Sequence, residues 1–240
     1  MKAFLYGIAL QWKLDIRSKT LLITCYIVPL LFFGVMGSIF TSVMPNSKET
    51  LIQSMTIFGV TMGALIGVPP SLAEIYRSDV KKIYRANGVP LYLGIVSINI
   101  SAFLHLWIMS AIICIAAPLA FDAGIPENSG LYLAGLAVFT AASLAIASII
   151  GLAVKDPAKT SMFSILIFLP SIMLSGIMFP VNLLPGSLET AGKFFPASWG
   201  YRCMTEQVFH FELFLPLFFL FAAAVIIDTT FAFSIRVLSW

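Results

Sequence analysis

The sequence predicts an all-α membrane protein: six transmembrane helices, an N-terminal interfacial helix, and a re-entrant outer helical hairpin before the last span. Three observations predict it. Hydrophobic residues make up 60% of the 240-residue chain and charged residues only 10%, against about a quarter charged in a soluble domain. The mean hydropathy is +0.99, so the excess apolar surface needs lipid as its solvent. The few charges sit at the edges of long apolar runs, where loops meet a bilayer. A single membrane domain over residues 1–240 accounts for the length and leaves no room for a separate soluble one.

Met1–Lys19 carries Lys2, Lys13, Asp15, Arg17 and Lys19, with no small-residue cleavage site after it. That argues against a secretory signal and for a segment kept in the mature chain. Phe4, Ile8, Trp12 and Ile16 recur every four residues beside Lys13 and Arg17. The pattern predicts a helix lying in the interface, with Trp12 as an anchor at headgroup depth.

A spanning helix needs about 20 apolar residues. Runs free of charge, except for Asp228 in the last, predict spans at about 21–40, 51–73, 91–120, 131–154, 160–180 and 213–235. Pro45-Asn46-Ser47, Pro126-Glu127-Asn128 and Val154-Lys155-Asp156-Pro157 punctuate the connections. Lys2, Lys13, Arg17, Lys19, Arg77, Lys81, Lys82, Arg85, Lys155, Lys159 and Arg236 fall on one side, and only Lys48, Lys193 and Arg202 on the other. The positive-inside rule places the first set, and both termini, in the cytoplasm of a plasma (inner) membrane protein. Glu49, Asp122, Glu127, Glu189, Glu206 and Glu212 agree by falling outside.

The loop after span 2 reads EIYRSDVKKIYRANGVP. Tyr76, Val80 and Ile83/Tyr84 recur at helical spacing, and Arg77, Lys81 and Arg85 recur on another side. Asn87-Gly88 suits a left-handed cap. A short amphipathic helix over 74–87 follows. Two readings stand: a helix on the anionic inner leaflet, or one that docks into a soluble partner.

Between spans 5 and 6, residues 181–207 are amphipathic, rich in Pro and Gly, and too polar to span. Phe194, Phe195, Trp199 and Tyr201 suit headgroup depth. Two short helices dipping back into the outer leaflet explain this mix, provided protein or a cavity surrounds the irregular backbone.

Leu174–Trp199, with LSGIMFPVNLLP and FFPASW, makes the chain resemble the ABC-2 type permeases of ABC transporters. The length, the six spans, the N-terminal helix, and the basic loop leading to Gly88-Val89-Pro90 extend the resemblance over essentially the whole chain. It implies a coupling helix that seats Glu74, Tyr76, Arg77, Val80, Lys81, Ile83, Tyr84 and Arg85 in a cleft of an ABC ATPase subunit. It also implies a second permease copy or paralogue, as homodimer or heterodimer. The path would lie between two subunits along spans 1, 2 and 5. Phe32, Phe33 and Met36, or Met162, Phe163, Met173 and Met178, would then form an adaptable apolar wall. Ordinary lipid-facing packing is the alternative for each of them.

An enzyme is not indicated. A phosphate-binding loop needs Gly-x-x-x-x-Gly-Lys-Ser/Thr. The nearest string, Gly186 to Gly192-Lys193-Phe194, has the wrong spacing and lacks the hydroxyl. The expectation is therefore no cofactor on this chain and Mg-ATP on the partner subunit. Cys25, Cys114 and Cys203 form no CxxC or Cys/His cluster, so no metal site or disulfide framework is indicated, and nothing points to nucleic acid.

Asp228 lies inside span 6. Burying it ionised costs on the order of 3 kcal/mol on insertion scales. It is either a substrate or switch contact, or a structural hydrogen-bond partner of Thr229, Thr230 or a neighbouring span. Asn99 should bond across helices. His105, with no Cys or carboxylate neighbour in sequence, reads as a packed structural residue. Gly59, Gly63 and Gly67 form a small face for packing within one subunit or at a dimer seam, and Gly34 and Gly37 mark span 1.

The reading that follows is an ABC exporter permease for an amphipathic or lipid-like substrate such as a drug, peptide antibiotic or glycolipid. The alternatives are a membrane scaffold or immunity-type binding protein, and a secondary transporter. The latter would be expected to show internal repeats, and none is visible.

Overall fold

The structure is a computed structural model and describes residues 2–77, 86, 90, 92–154, 156–178 and 181–237. Among these, every regular element is helical. α1 is Lys2–Arg17, and α2 is Lys19–Val43. α3 runs through Leu51–Met62, Gly63–Gly67 and Val68–Arg77. α4 is Tyr92–Phe121, α5 Ser129–Ala153 and α6 Pro157–Met173. α7 is Gly186–Gly192, α8 Pro196–Thr205 and α9 Phe211–Val237. Among the described residues five helices (α2, α3, α4, α5 and α9) are long and apolar enough to cross a membrane, and α6 is a shorter apolar helix of 17 residues.

Local chemistry sets the helix ends. Ser18 caps α2 through Leu21 N–H, Asn128 caps α5 through Leu131 N–H, and Asp156 caps α6 through Ala158 and Lys159 N–H. Each supplies an oxygen to backbone donors that have no intrahelical partner. Pro157 then opens α6, where its missing N–H costs nothing.

α6 departs from the expected 160–180. It starts at Pro157 and ends at Met173. Pro170 occupies its last turn, Leu174 N–H closes onto the Pro170 carbonyl at 2.9 Å, and Gly176 takes φ +92°. That left-handed turn, open to glycine without a Cβ penalty, redirects the chain before the expected end.

Two π turns interrupt the long helices, at Ile23–Ile27 in α2 and Gly63–Gly67 in α3. Proline follows each after a single valine: Pro29 in the first case, Pro69 and Pro70 in the second. A proline ring clashes with the carbonyl four residues earlier. Those carbonyls belong to Cys25, Leu65 and Ile66, all inside the π turns, so the wider turns relieve the clash. The two turns face each other. A Cβ on Gly67 would stand 3.0 Å from Thr24 Oγ1, and one on Gly63 3.2 Å from Cys25 Sγ.

α3 is the hub. In its apolar stretch 89% of residues are buried, against 22% in α2 and 17% in α9. It touches α2, α4, α5, α6 and α8. Gly59 meets Met109 of α4 and Pro29 of α2, and Gly63 meets Leu106 of α4. The small face therefore packs within one subunit. Phe32 of α2 stacks on Phe58 of α3 at 3.7 Å, and Phe58 meets Phe168 of α6 edge-on at 5.8 Å.

The segment between α6 and α9 forms two short helices, α7 and α8, within the expected 181–207. α8 buries Pro196, Ala197, Ser198, Gly200, Cys203 and Met204 against α5, α3 and α9. Ser198 Oγ donates to the Gly192 carbonyl at 2.7 Å, and Trp199 Nε1 donates to the Lys193 carbonyl at 2.8 Å. These bonds satisfy the α7–α8 corner.

The α3–α5 contact gives a stability test. A Cβ on Gly151 would lie 2.8 Å from the Pro69 carbonyl oxygen, a backbone atom that cannot rotate away. Gly151→Ala is expected to cost about 1–3 kcal/mol through overpacking and to lower the thermal midpoint in detergent. Gly34→Ala meets nothing within 4 Å and is expected not to lower it.

Candidate functional site

At the end of the bundle that carries Arg17, Lys19 and Lys159, α3 continues as helix to Arg77. Glu74 is exposed on it. The backbone of Tyr76 and Arg77 belongs to the same helix. Val80, Lys81, Ile83, Tyr84 and Arg85 lie outside the described residues, as does most of the expected 74–87 helix.

The expected wall residues divide by exposure. On α2, Ile23, Ile27, Leu31, Val35, Ile39 and Val43 form an exposed stripe at every fourth residue. Phe32 and Met36 are half-buried beside it. Phe33 points inward, its ring edge-on to Phe121 of α4 at 5.3 Å. On α6, Met162, Phe163 and Met173 are exposed, with Leu166 and Leu169 among them. Met178 is half-buried beyond the helix end. Phe32, Phe58 and Phe168 tie α2 and α6 to α3, so both exposed faces lie within a helical turn of one aromatic seam. The two small residues of α2 also part company. A Cβ on Gly37 would strike the Phe121 ring at 2.6 Å, whereas Gly34 has open space.

α1 does not hold its place by lipid contact alone. Trp12 stacks flat on His105 of α4, with ring centroids 4.1 Å apart and planes 8° apart. Tyr26 of α2 completes the site, its hydroxyl 2.8 Å from His105 Nδ1. One helical turn from Trp12, Asp15 is buried, 8% exposed, and accepts hydrogen bonds from Ser101 Oγ at 2.5 Å and Gln11 Nε2 at 2.8 Å. The inward face of α1 therefore ends on Asp15, while Ile16, expected on that face, is exposed. His105 is thus packed between Trp12 of α1 and Tyr26 of α2. Separation along the chain hid this packing, because nothing local shows that α1 folds onto α4.

Asn99 bonds across helices as expected. Its Nδ2 donates to Ser148 Oγ of α5 at 2.9 Å, and Ser148 Oγ lies 3.2 Å from Asn99 Oδ1. A second polar link escaped sequence reasoning: Tyr132 of α5 joins Thr56 of α3 at 2.9 Å and Cys114 of α4 at 3.2 Å. A tyrosine inside an apolar run was its one signal.

Of the partners considered for Asp228, the two adjacent threonine hydroxyls are engaged elsewhere. Thr229 and Thr230 donate to the carbonyls of Ile226 and Ile227 in their own helix. Asp228 Oδ1 is buried without a partner among the described residues.

No group of three or more His, Cys, Asp or Glu side chains among the described residues is placed to hold a metal ion. Gly186–Gly192 is the helix α7, not a loop whose N–H groups could cradle a phosphate.

A family model described as ABC-2 family transporter protein matches residues 42–233, from the end of α2 through most of α9. No curated protein matches the chain.

The α1 contact carries a pH dependence. Burial away from water holds the Asp15 carboxyl above the usual carboxylate range, partly countered by its bonds to Ser101 and Gln11. The folded chain thus binds this proton more tightly than the unfolded chain does. The stability it contributes is full below the unfolded value and is lost as pH rises through the raised one. Asp15→Asn removes the titration. Its thermal midpoint is expected to change less than that of the unaltered protein between about pH 4 and pH 7.

Proposed function

The chain belongs to the ABC-2 family of transporter proteins and is a membrane permease of an ABC-type transporter; from that premise we propose that it exports an amphipathic or lipid-like substrate, driven by a separate ATPase subunit that binds Mg-ATP. The family match over 42–233 carries this reading. Two features of the fold support its details.

The first is α3. The helix that forms the buried hub is continuous with the chain entering the basic segment, since Val68–Arg77 follows the π turn without a break. A push on Glu74–Arg85 by a closing ATPase dimer would be delivered to the one helix that touches α2, α4, α5, α6 and α8. The chain, on this reading, sits in the plasma membrane with this end and both termini on the cytoplasmic side, which the basic charges here support by the positive-inside rule. On this reading α6 completes a set of six spans, because 17 residues reach the lower bound for crossing. α7 and α8 re-enter the outer leaflet as a hairpin, protected by the burial of α8.

The second is the pair of exposed apolar faces on α2 and α6. A second permease subunit facing them would enclose a path lined by Phe32, Met36, Met162, Phe163 and Met173, with Met178 near its outer end. The unbranched methionines would adapt to varied apolar substrates. Gly34, unopposed within the chain, marks where the partner's backbone can approach closely. Phe33 contributes by bracing α2 on Phe121.

Affinity purification in mild detergent tests the ATPase assignment. The chain is expected to bring down a stoichiometric ATPase, and replacing Val80, Ile83 and Tyr84 with Asp is expected to abolish this without blocking membrane insertion. Normal co-purification by the triple variant would sink the docking assignment. The seam is tested separately. Gly34→Trp is expected to shift the permease from dimer to monomer on size-exclusion with light scattering, with its thermal midpoint little changed. A variant that stays dimeric would place the interface elsewhere.

A further inference from the structure

On the side of the bundle formed by α4, α5 and α9, a cavity of about 410 Å³ opens between the helices. That is within the range of small-molecule sites. Its walls are apolar nearly throughout, with Ile95, Phe103 and Leu104 on α4, Leu144 on α5, and Phe221 and Val225 on α9. Among its described lining residues the single charged side chain is Asp228.

Three of the other polar side chains of the wall are already engaged, and Tyr92 stands exposed at one end of it. Asn99 and Ser148 bond each other, Asn99 Nδ2 also donates to the Ile95 carbonyl at 2.9 Å, and the Thr229 hydroxyl donates to Ile226. Oδ1 of Asp228 is left buried and unpaired among the described residues. An apolar wall around an unpaired carboxylate is costly unless a proton or a cation meets it. A metal ion is a poor candidate, because a hard cation takes six or more oxygens and this cavity offers one carboxylate.

The cavity also has a direction. Asp228 and Thr229 lie in the C-terminal part of α9, whose apolar run continues to Ile235, and Tyr92 begins α4 at the same end of the cavity. From Tyr92 the lining climbs α4 to Leu104, roughly 18 Å along the helix axis at 1.5 Å per residue. The carboxylate therefore sits roughly 10 Å along the helix from the end of the apolar run, with the apolar slot running from it toward Leu104.

We propose that this cavity is a binding site for an amphipathic amine dissolved in the adjacent leaflet, with its ammonium on the Asp228 carboxylate and its tail along Phe103, Leu104 and Phe221. The site shares no residue with the α2 and α6 faces and does not depend on the direction of transport or on the ATPase partner. An occupant fills the wedge where α9 leans on α5, so binding holds these helices together and stabilises the folded chain.

The test uses the full chain in nanodiscs of phosphatidylglycerol and a dodecylamine that carries a diazirine on its tail. Photolabelling is expected on the peptides containing Phe103, Leu104 and Phe221. Dodecylamine should compete and dodecanol should not. Asp228→Asn should weaken labelling by about tenfold or more, since a charge-assisted bond is lost, while Asp228→Glu should retain it. Competition by dodecanol as strong as by dodecylamine, or undiminished labelling of folded Asp228→Asn, would overturn the proposal. Should Asp228→Asn fail to fold, the amine-against-alcohol comparison on the unaltered protein still decides. Adding phosphatidylethanolamine to the nanodiscs assigns the source: displacement of the probe identifies the membrane's own amine lipid, and no displacement identifies a single-chain amine. Either result supports a cation-selective site.

Discussion

The bundle rests on the close approach of its neighbours to α3. Lipid solvates leucine as well as a protein core does, so helices in a bilayer gain little from hydrophobic exclusion and associate through close contact and hydrogen bonds. α3 permits that contact by presenting Gly59, Gly63 and Gly67 where α2 and α4 press on it. The prolines that follow each π turn widen the two backbones at the same level, so the turns of α2 and α3 meet face to face. With α3 narrow on this side, five elements can surround it, and the helix that enters the basic segment becomes the most enclosed one.

Polar side chains then fix how the surrounding helices sit. Tyr132 joins α5 to α3 and α4, Asn99 and Ser148 join α4 to α5, and Asp15 with Trp12 joins α1 to α4. Each is a directional contact among side chains that otherwise slide past one another. Where such a group has no partner, as at Asp228 Oδ1, the same physics turns it from a structural element into an unmet demand. The difference between Asn99 and Asp228, both single polar residues in apolar helices, is only whether a neighbouring helix offers a donor or acceptor at that height.

The two sides of α3 are thereby unlike. Toward α2 and α6 the surface is apolar, aromatic and methionine-rich, with one unopposed glycine. Toward α4, α5 and α9 there is a slot with a carboxylate in its wall. The first suits a subunit interface that can adapt to varied apolar substrates, and the second suits recognition of a charged head on an apolar body. A permease with both could hold its helices under the control of a membrane amine while moving a different substrate at the seam.

The sequence by itself determined the class of protein, the approximate positions of its apolar helices, and the existence of a helical pair between the last two of them. Those features follow from hydropathy, helix length and proline or glycine punctuation, all of which are local. It also marked Asn99 and Asp228, because a polar residue in an apolar run is visible without knowing its neighbours. Tertiary structure alone decided what those residues meet. It set Asn99 against Ser148, brought Trp12 onto His105, turned Phe33 inward against Phe121, and assigned the glycines of α3 to contacts within the chain. Each of these outcomes depends on which helices are adjacent and on their relative height. Apolar periodicity cannot report that, because every face of a helix in lipid is permitted to be apolar.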